Sequence, residues 1–184
     1  EMYRNQTTLE QRERYPNVDW QRELFRDFTM SYNANANISG GTKFVKYFVS
    51  ADYVHEGDIF KQWNNGRNYD TGYGYNRLNV RSNLDFQLTK TTKLKMNVAG
   101  SAGEKQSPWN NAGQSEWQIA QQWAGVYNIA PDVFLPKYSD GSWGYYPAIS
   151  NVSNSAESIA VSGVMTTTTT RINTAFTLEQ DLGF

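Results

Sequence analysis

Wherever this sequence alternates, its charged side chains keep to one parity, and that rule restricts the possible folds more than any other feature. In "YNRLNVRSNLDFQL", Leu78, Val80, Leu84, Phe86 and Leu88 fall on one side, with Ser82 the one polar residue among them. Arg77, Asn79, Arg81, Asn83, Asp85 and Gln87 fall on the other. Successive strand side chains point to opposite faces, so the segment reads as a strand with one apolar and one polar face. A slip of one residue would move Arg77, Arg81 and Asp85 to the apolar side, so the register is strongly specified. "FVKYFVSADYV" follows the same rule, with Val45, Tyr47, Val49, Ala51 and Tyr53 opposed to Lys46, Ser50 and Asp52. Phe44, Phe48 and Val54 are the exceptions on its polar side.

The pattern recurs along the chain. "YNANANIS" sets Asn33, Asn35 and Asn37 against Ala34, Ala36 and Ile38, and "KLKMNVAGSAG" sets Leu94, Met96, Val98 and Gly100 against Lys95, Asn97 and Ser101. "VMTTTTTRINTAFTLEQDL" sets Ile172, Thr174, Phe176 and Leu178 against Arg171, Asn173, Thr177 and Glu179, and its β-branched threonine run belongs in a strand. "SGGT" (Ser39 to Thr42) and "TKTT" (Thr89 to Thr92) are short reversals. The reading is therefore all-β and antiparallel, with five or six strands near residues 31–39, 43–54, 75–88, 92–103, 160–170 and 171–182. Long loops are expected near 55–74 and 104–159, and a polar lead-in with short helical turns over 1–30, as an ordered surface segment. Within the second loop, "SEWQIAQQWAGVYN" has Trp117, Ala120, Trp123, Ala124 and Tyr127 at helical spacing, and Asp140-Gly141 marks a turn.

Composition removes several classes of function. The net charge of −1 comes from scattered residues of both signs, without a basic stripe to follow a phosphate backbone, so nucleic acid is not an expected partner. With no cysteine and a single histidine, His55, no metal site is expected and no cofactor is implied. Glu56 with Asp58 and Asp132 with Asp140 are carboxylate pairs of a kind that most sequences offer, so no catalytic residue is assigned and an enzyme is not expected.

Alternation by itself fits both a soluble β-rich domain and a transmembrane barrel. Two features bear on the choice. Short turns alternate with long connections, the asymmetry of outer-membrane barrels, and the strands reach the roughly 9–11 residues that a tilted span needs. The apolar faces are also rich in Ala and Gly where a packed core would favour larger side chains. A closed single-chain bacterial barrel needs at least about eight strands. Six do not close, so the expectation is a segment of a larger barrel.

These motifs carry a resemblance. "YPNVDWQRELFR", "NISGGTKFVKYFVSADYVHEGDIF" and "YNRLNVRSNLDFQLTKTTKLKMNV", in this order, resemble the first part of the barrel of SusC/RagA-type TonB-dependent outer-membrane transporters. The matching residues are Asp19, Trp20, Glu23, Leu24 and Phe25; Ser39 to Thr42; Lys46 to Phe48; Glu56-Gly57; and Arg77, Asn79, Val80, Asn83, Leu84 and Asp85. The resemblance implies a part in nutrient import across the outer membrane of a Gram-negative, Bacteroidetes-type bacterium, the solute being an oligosaccharide or peptide. It further implies a SusD-like surface lipoprotein as partner, outer-membrane lipid around the barrel, and a TonB complex reached through an N-terminal part that these residues lack. The competing reading is a secreted, soluble carbohydrate-binding module.

Candidate contact residues follow. Trp63, Trp109, Trp143, Tyr145 and Tyr146 lie in the long loops, where aromatic faces can stack on sugar rings or anchor a partner. Lys46, Asp52, Arg77, Arg81 and Asp85 would line a polar lumen, and Trp20, Tyr47 and Tyr53 would form an interfacial girdle. Trp117 and Trp123 suit a small loop core. Phe184 resembles the terminal aromatic of complete barrels, although the family match places its strand mid-barrel.

Overall fold

Two tight reversals set the sheet. Thr42 closes the first: its N–H donates to the Val45 carbonyl at 2.7 Å, and its Oγ1 accepts from the N–H groups of Phe44 and Val45. Thr89 and Thr92 close the second through a 2.7 Å hydroxyl hydrogen bond and two N–H groups, Leu88 and Thr89, aimed at the Thr92 carbonyl. A computed structural model describes residues 2–109, 124–125, 127–146 and 153–183. Its strands are β1 (Ser31–Gly41), β2 (Val45–Glu56), β3 (Gly74–Gln87), β4 (Thr92–Trp109) and β5 (Gly163–Gln180), hydrogen-bonded in sequence order as one five-stranded sheet. Helices α1 (Leu9–Arg14), α2 (Trp20–Leu24) and α3 (Ser155–Ala160) lie wholly among the described residues.

The register bears out the parity. Ala36 faces Ala51, which in turn faces Val80, and Ile38, Val49 and Ser82 form the next such row. On the opposite side Asn35 faces Asp52 and Asp52 faces Asn79, while Lys46 lies opposite Asp85. Gly40 pairs with Tyr47, whose ring covers the missing side chain: a Cβ at Gly40 would come within 2.6 Å of the tyrosine oxygen.

The structure redraws several boundaries. The two strands expected over 160–170 and 171–182 are the single β5, because the β-branched run from Thr166 to Thr170 continues the extended chain. Residue 160 instead closes α3. β4 runs on to Trp109, beyond the expected end near residue 103. Phe44, expected in a strand, sits in the first reversal and is 74% exposed. The helix expected over 115–128 lies mostly outside the described residues, as do Trp117, Trp123 and Phe184; Ala124, Gly125, Tyr127 and Asn128 are helical.

The chain divides into two compact units. The sheet unit comprises Met30–Gly57, Gly74–Lys105 and the described part of Thr166–Phe184. The loop unit comprises the described residues of Glu1–Thr29, Asp58–Tyr73 and Gln106–Met165. It holds a hydrophobic core of Val18, Trp20, Leu24, Phe60, Ile129, Phe134, Ala156 and Ile159. The lead-in is therefore more than the surface segment expected, since α2 turns Trp20 and Leu24 inward. Trp20 is not a girdle residue: it is 4% exposed, meets Phe134 edge-on at 5.5 Å and donates to the Ala130 carbonyl. Arg26 N–H to the Ile59 carbonyl and Lys61 N–H to the Leu24 carbonyl, each 2.8 Å, join the lead-in to the first long loop.

Two polar side chains organise this unit. Buried Asn154 caps α3 by accepting from Ala156 and Glu157 N–H, while its amide donates to the Pro136 carbonyl at 2.7 Å and the Gly144 carbonyl at 3.1 Å. Half-buried Asp58 accepts from Phe60 N–H at 2.9 Å and from the Gln62 amide at 2.7 Å. Gly72 lies against both side chains, where a Cβ would collide with Asp58 Oδ2 and Gln62 Nε2.

Two outcomes are expected. Asn154→Ala strands two buried carbonyls and two helix N–H groups, and should destabilise the loop unit by about 1–3 kcal/mol; protease sensitivity of the Pro136–Gly144 segment under increasing urea measures it. Burial, the largest influence on Asp58, raises its pKa above 3.8 despite the hydrogen bonds and Arg26. The folded state thus binds this proton more tightly than the unfolded state, and the site loses stability as pH rises through the raised pKa. The melting-temperature difference between Asp58→Asn and wild type should accordingly shift in the variant's favour from about pH 4 to about pH 7.

Candidate functional site

The sheet unit contains no buried residue among those described, on either face. Its apolar face is formed by Tyr32, Ala34, Ala36 and Ile38 of β1, the odd-numbered residues of β2 from Val45 to Tyr53, and Leu78, Val80, Leu84 and Phe86 of β3. Lys95 of β4 forms an ion pair with Glu179 of β5. The alternation then places Leu94, Met96 and Val98 with Ile172, Phe176 and Leu178 on the apolar side. Ile38, Ile172, Phe176 and Leu178 are each at least 60% exposed. So broad an uncovered apolar surface marks a site of contact with lipid or protein.

Aromatic residues gather near the long-loop end of this face. Tyr32 packs against His55 at 4.9 Å between ring centres and against Tyr53 at 6.0 Å. Tyr53 donates to Asn76 Oδ1 at 3.0 Å, and His55 Nδ1 is 2.7 Å from the same oxygen. Tyr47 lies near the short-turn end. Rings with an apolar body and a polar tip suit the border between hydrocarbon and water. Nothing in the sequence pattern singled out Tyr32 or His55 for this group; only the β1–β2 register brings them together.

The polar face collects the predicted lumen residues. Asn79 donates to Asp52 at 2.8 Å, Lys46 and Asp85 are directly opposed, and Arg81 Nε donates to Asn83 at 3.3 Å. Arg77 is stacked over Tyr75, with 5.9 Å to the ring centre. A concavity of about 280 Å³ joins Arg77 to residues of β4 and β5, and a second, of about 400 Å³, joins Asp52, Asn79 and Arg81 to the same two strands. Lys46 and Asp85 border a third, by the turns. The five lumen candidates thus share one face but are spread over three hollows.

The loop aromatics separate by exposure. Trp143 and Trp63 are partly buried against the loop core, 6.1 Å apart, with the Lys137 ammonium 4.7 Å from the Trp143 ring centre. Asp140-Gly141 supports Trp143: Gly141 has φ +89°, and Asp140 accepts from the Ser142 N–H and hydroxyl, which lower its pKa. Tyr145 is 74% exposed, with Trp109 at 40% and Tyr146 at 36%. Tyr145, Tyr146 and Trp109 therefore offer open aromatic surface, while Trp63 and Trp143 mainly hold the loop together. The carboxylates weighed as acid–base pairs serve the backbone, Asp58 at its loop and Asp140 at its turn.

No family model matches the chain, and no solved structure matches it. The chain is similar to the TonB-dependent receptor P3 of Formosa agariphila, with 26% identity over 127 residues. That similarity covers 69% of the chain and 12% of the receptor, so the chain spans only a small part of that relative's length.

Proposed function

We propose that this chain is part of the barrel of an outer-membrane, TonB-dependent importer of the SusC/RagA kind, and not an enzyme. The observation carrying the reading is the sheet's apolar face, which nothing within the sheet unit covers although the charges of β2 and β3 all keep to the other side; Glu104, near the long-loop end of β4, is the exception by parity in the sheet unit. A soluble sandwich would bury one such face against a second layer. Lipid accepts it as it stands. Strands of 11 to 18 residues are long enough to span, and the reversals at Thr42 and Thr89–Thr92 contrast with connections over 57–73 and 110–162. The similarity to a TonB-dependent receptor supports the same reading.

In this role the polar face of the sheet borders the solute path. A large nutrient, oligosaccharide or peptide, would pass with a SusD-like lipoprotein as its surface partner, and Tyr145, Tyr146 and Trp109 are the open aromatics available to either. TonB coupling would act through another part of the whole protein. The soluble carbohydrate-binding alternative must leave the apolar face in water, which disfavours it.

Adjacent residues on opposite faces test this. Ala36→Arg in the full-length parent protein puts a cation on the apolar side at mid-strand, at up to about 2–4 kcal/mol near a bilayer midplane, and Asn37→Arg puts one on the polar side. The expected outcome is reduced recovery of folded, heat-modifiable protein in outer-membrane fractions for Ala36→Arg only. Equal recovery of the two variants, or release of the parent protein without detergent, would overturn the proposal.

A further inference from the structure

We propose that the hollow between β3, β4 and β5 on the polar face binds an oxyanion, a carboxylate or sulfate group carried by the solute. Arg77, Lys105 and Arg171 line it together with the hydroxyls of Ser101, Thr167 and Thr169, and no acidic residue is among its lining groups. Among the described residues none of these three cations has an ion-pair partner; the ion pair found there joins Lys95 to Glu179. Arg77 Nε is buried and lacks a hydrogen-bond partner, a state that an acceptor from outside would relieve. The Tyr75 ring beneath its guanidinium holds the group in place. Gly103 also lines the hollow, next to Arg77 and Tyr75.

Cations and hydroxyl donors around one concavity, with no competing carboxylate, are what an oxyanion requires. The neighbouring hollow shares Ser101 and Arg171 and adds Arg81, so the basic surface continues along the face. Its one acid, Asp52, is already engaged by Asn79. The polar side is thus locally basic although the chain carries a net charge of −1. Specifying the solute's charge rests on the importer reading; oxyanion binding by the hollow does not.

The test uses the full-length parent protein in detergent, titrated calorimetrically with inorganic sulfate, then with trigalacturonate and maltotriose. Wild type should bind sulfate saturably and trigalacturonate at least tenfold more tightly than maltotriose, the preference shrinking as sodium chloride is raised. Arg171→Gln and Arg77→Gln should each weaken anion binding tenfold or more with heat-modifiable mobility intact, and Arg77→Lys should recover part of it. Equal binding of charged and neutral trisaccharides, or unaltered affinity in both glutamine variants, would overturn the site. Absence of sulfate binding to wild type would overturn it too, and would point to carboxylates from another segment of the protein holding these cations. Sulfate binding that persists in a protein unable to import any solute would count against the importer reading alone.

Discussion

Two-residue periodicity, held in register across neighbouring strands, is the constraint from which the rest follows. Each row of the sheet repeats one choice: Ala36, Ala51 and Val80 on one side, Asn35, Asp52 and Asn79 on the other. A slip of one residue between β2 and β3 would break the Asn79–Asp52 hydrogen bond and move Arg77 and Arg81 to the apolar side. The threonine-closed reversals fix the neighbouring pairs from the turns, β1 with β2 and β3 with β4. Sheet and turns agree, and that consistency between local and long-range structure makes one arrangement dominant.

The sheet does not derive its stability in the usual way. A half-apolar sheet of this size ordinarily covers its apolar side with a second layer, yet the buried core of the described chain belongs wholly to the loop unit. The described parts of the long connections are packed: Trp20 packs on Phe134, Phe25 on Phe60, and Asn154 ties α3 to the segment bearing Trp143. Such packing holds the segment before Tyr145 in a defined conformation, while Trp109 is the last residue of β4 and not part of the long loop where the sequence placed it.

Much of this was legible in the sequence, and the limits have physical causes. Parity assigned the faces of all five strands because side-chain direction in a strand is a local property. It could not distinguish lipid from protein, since both accept Val, Ala and Tyr. The Asp140-Gly141 turn was readable because its chemistry lies within four residues. The division of β5 into two strands was a misreading, for a threonine run carries no contrast between faces. The lumen candidates were readable as a set, but their distribution over three hollows depends on how five strands line up.

By itself, then, the sequence determined the antiparallel all-β plan, the two short reversals, and which side of each strand is charged. Only the tertiary structure decided the fate of the aromatic residues, because burial depends on contacts between distant segments. Trp20, which its position suggested for a membrane border, is enclosed by the loop core through Phe134, 114 residues farther along (134 − 20). Tyr32, which carried no such signal, stands with His55 and Tyr53 at the edge of the apolar face. That Arg77 has no ion-pair partner among the described residues was likewise fixed only by assembly: its charge was plain from the chain, but the lack of an acid among the residues lining its hollow is a property of three strands side by side.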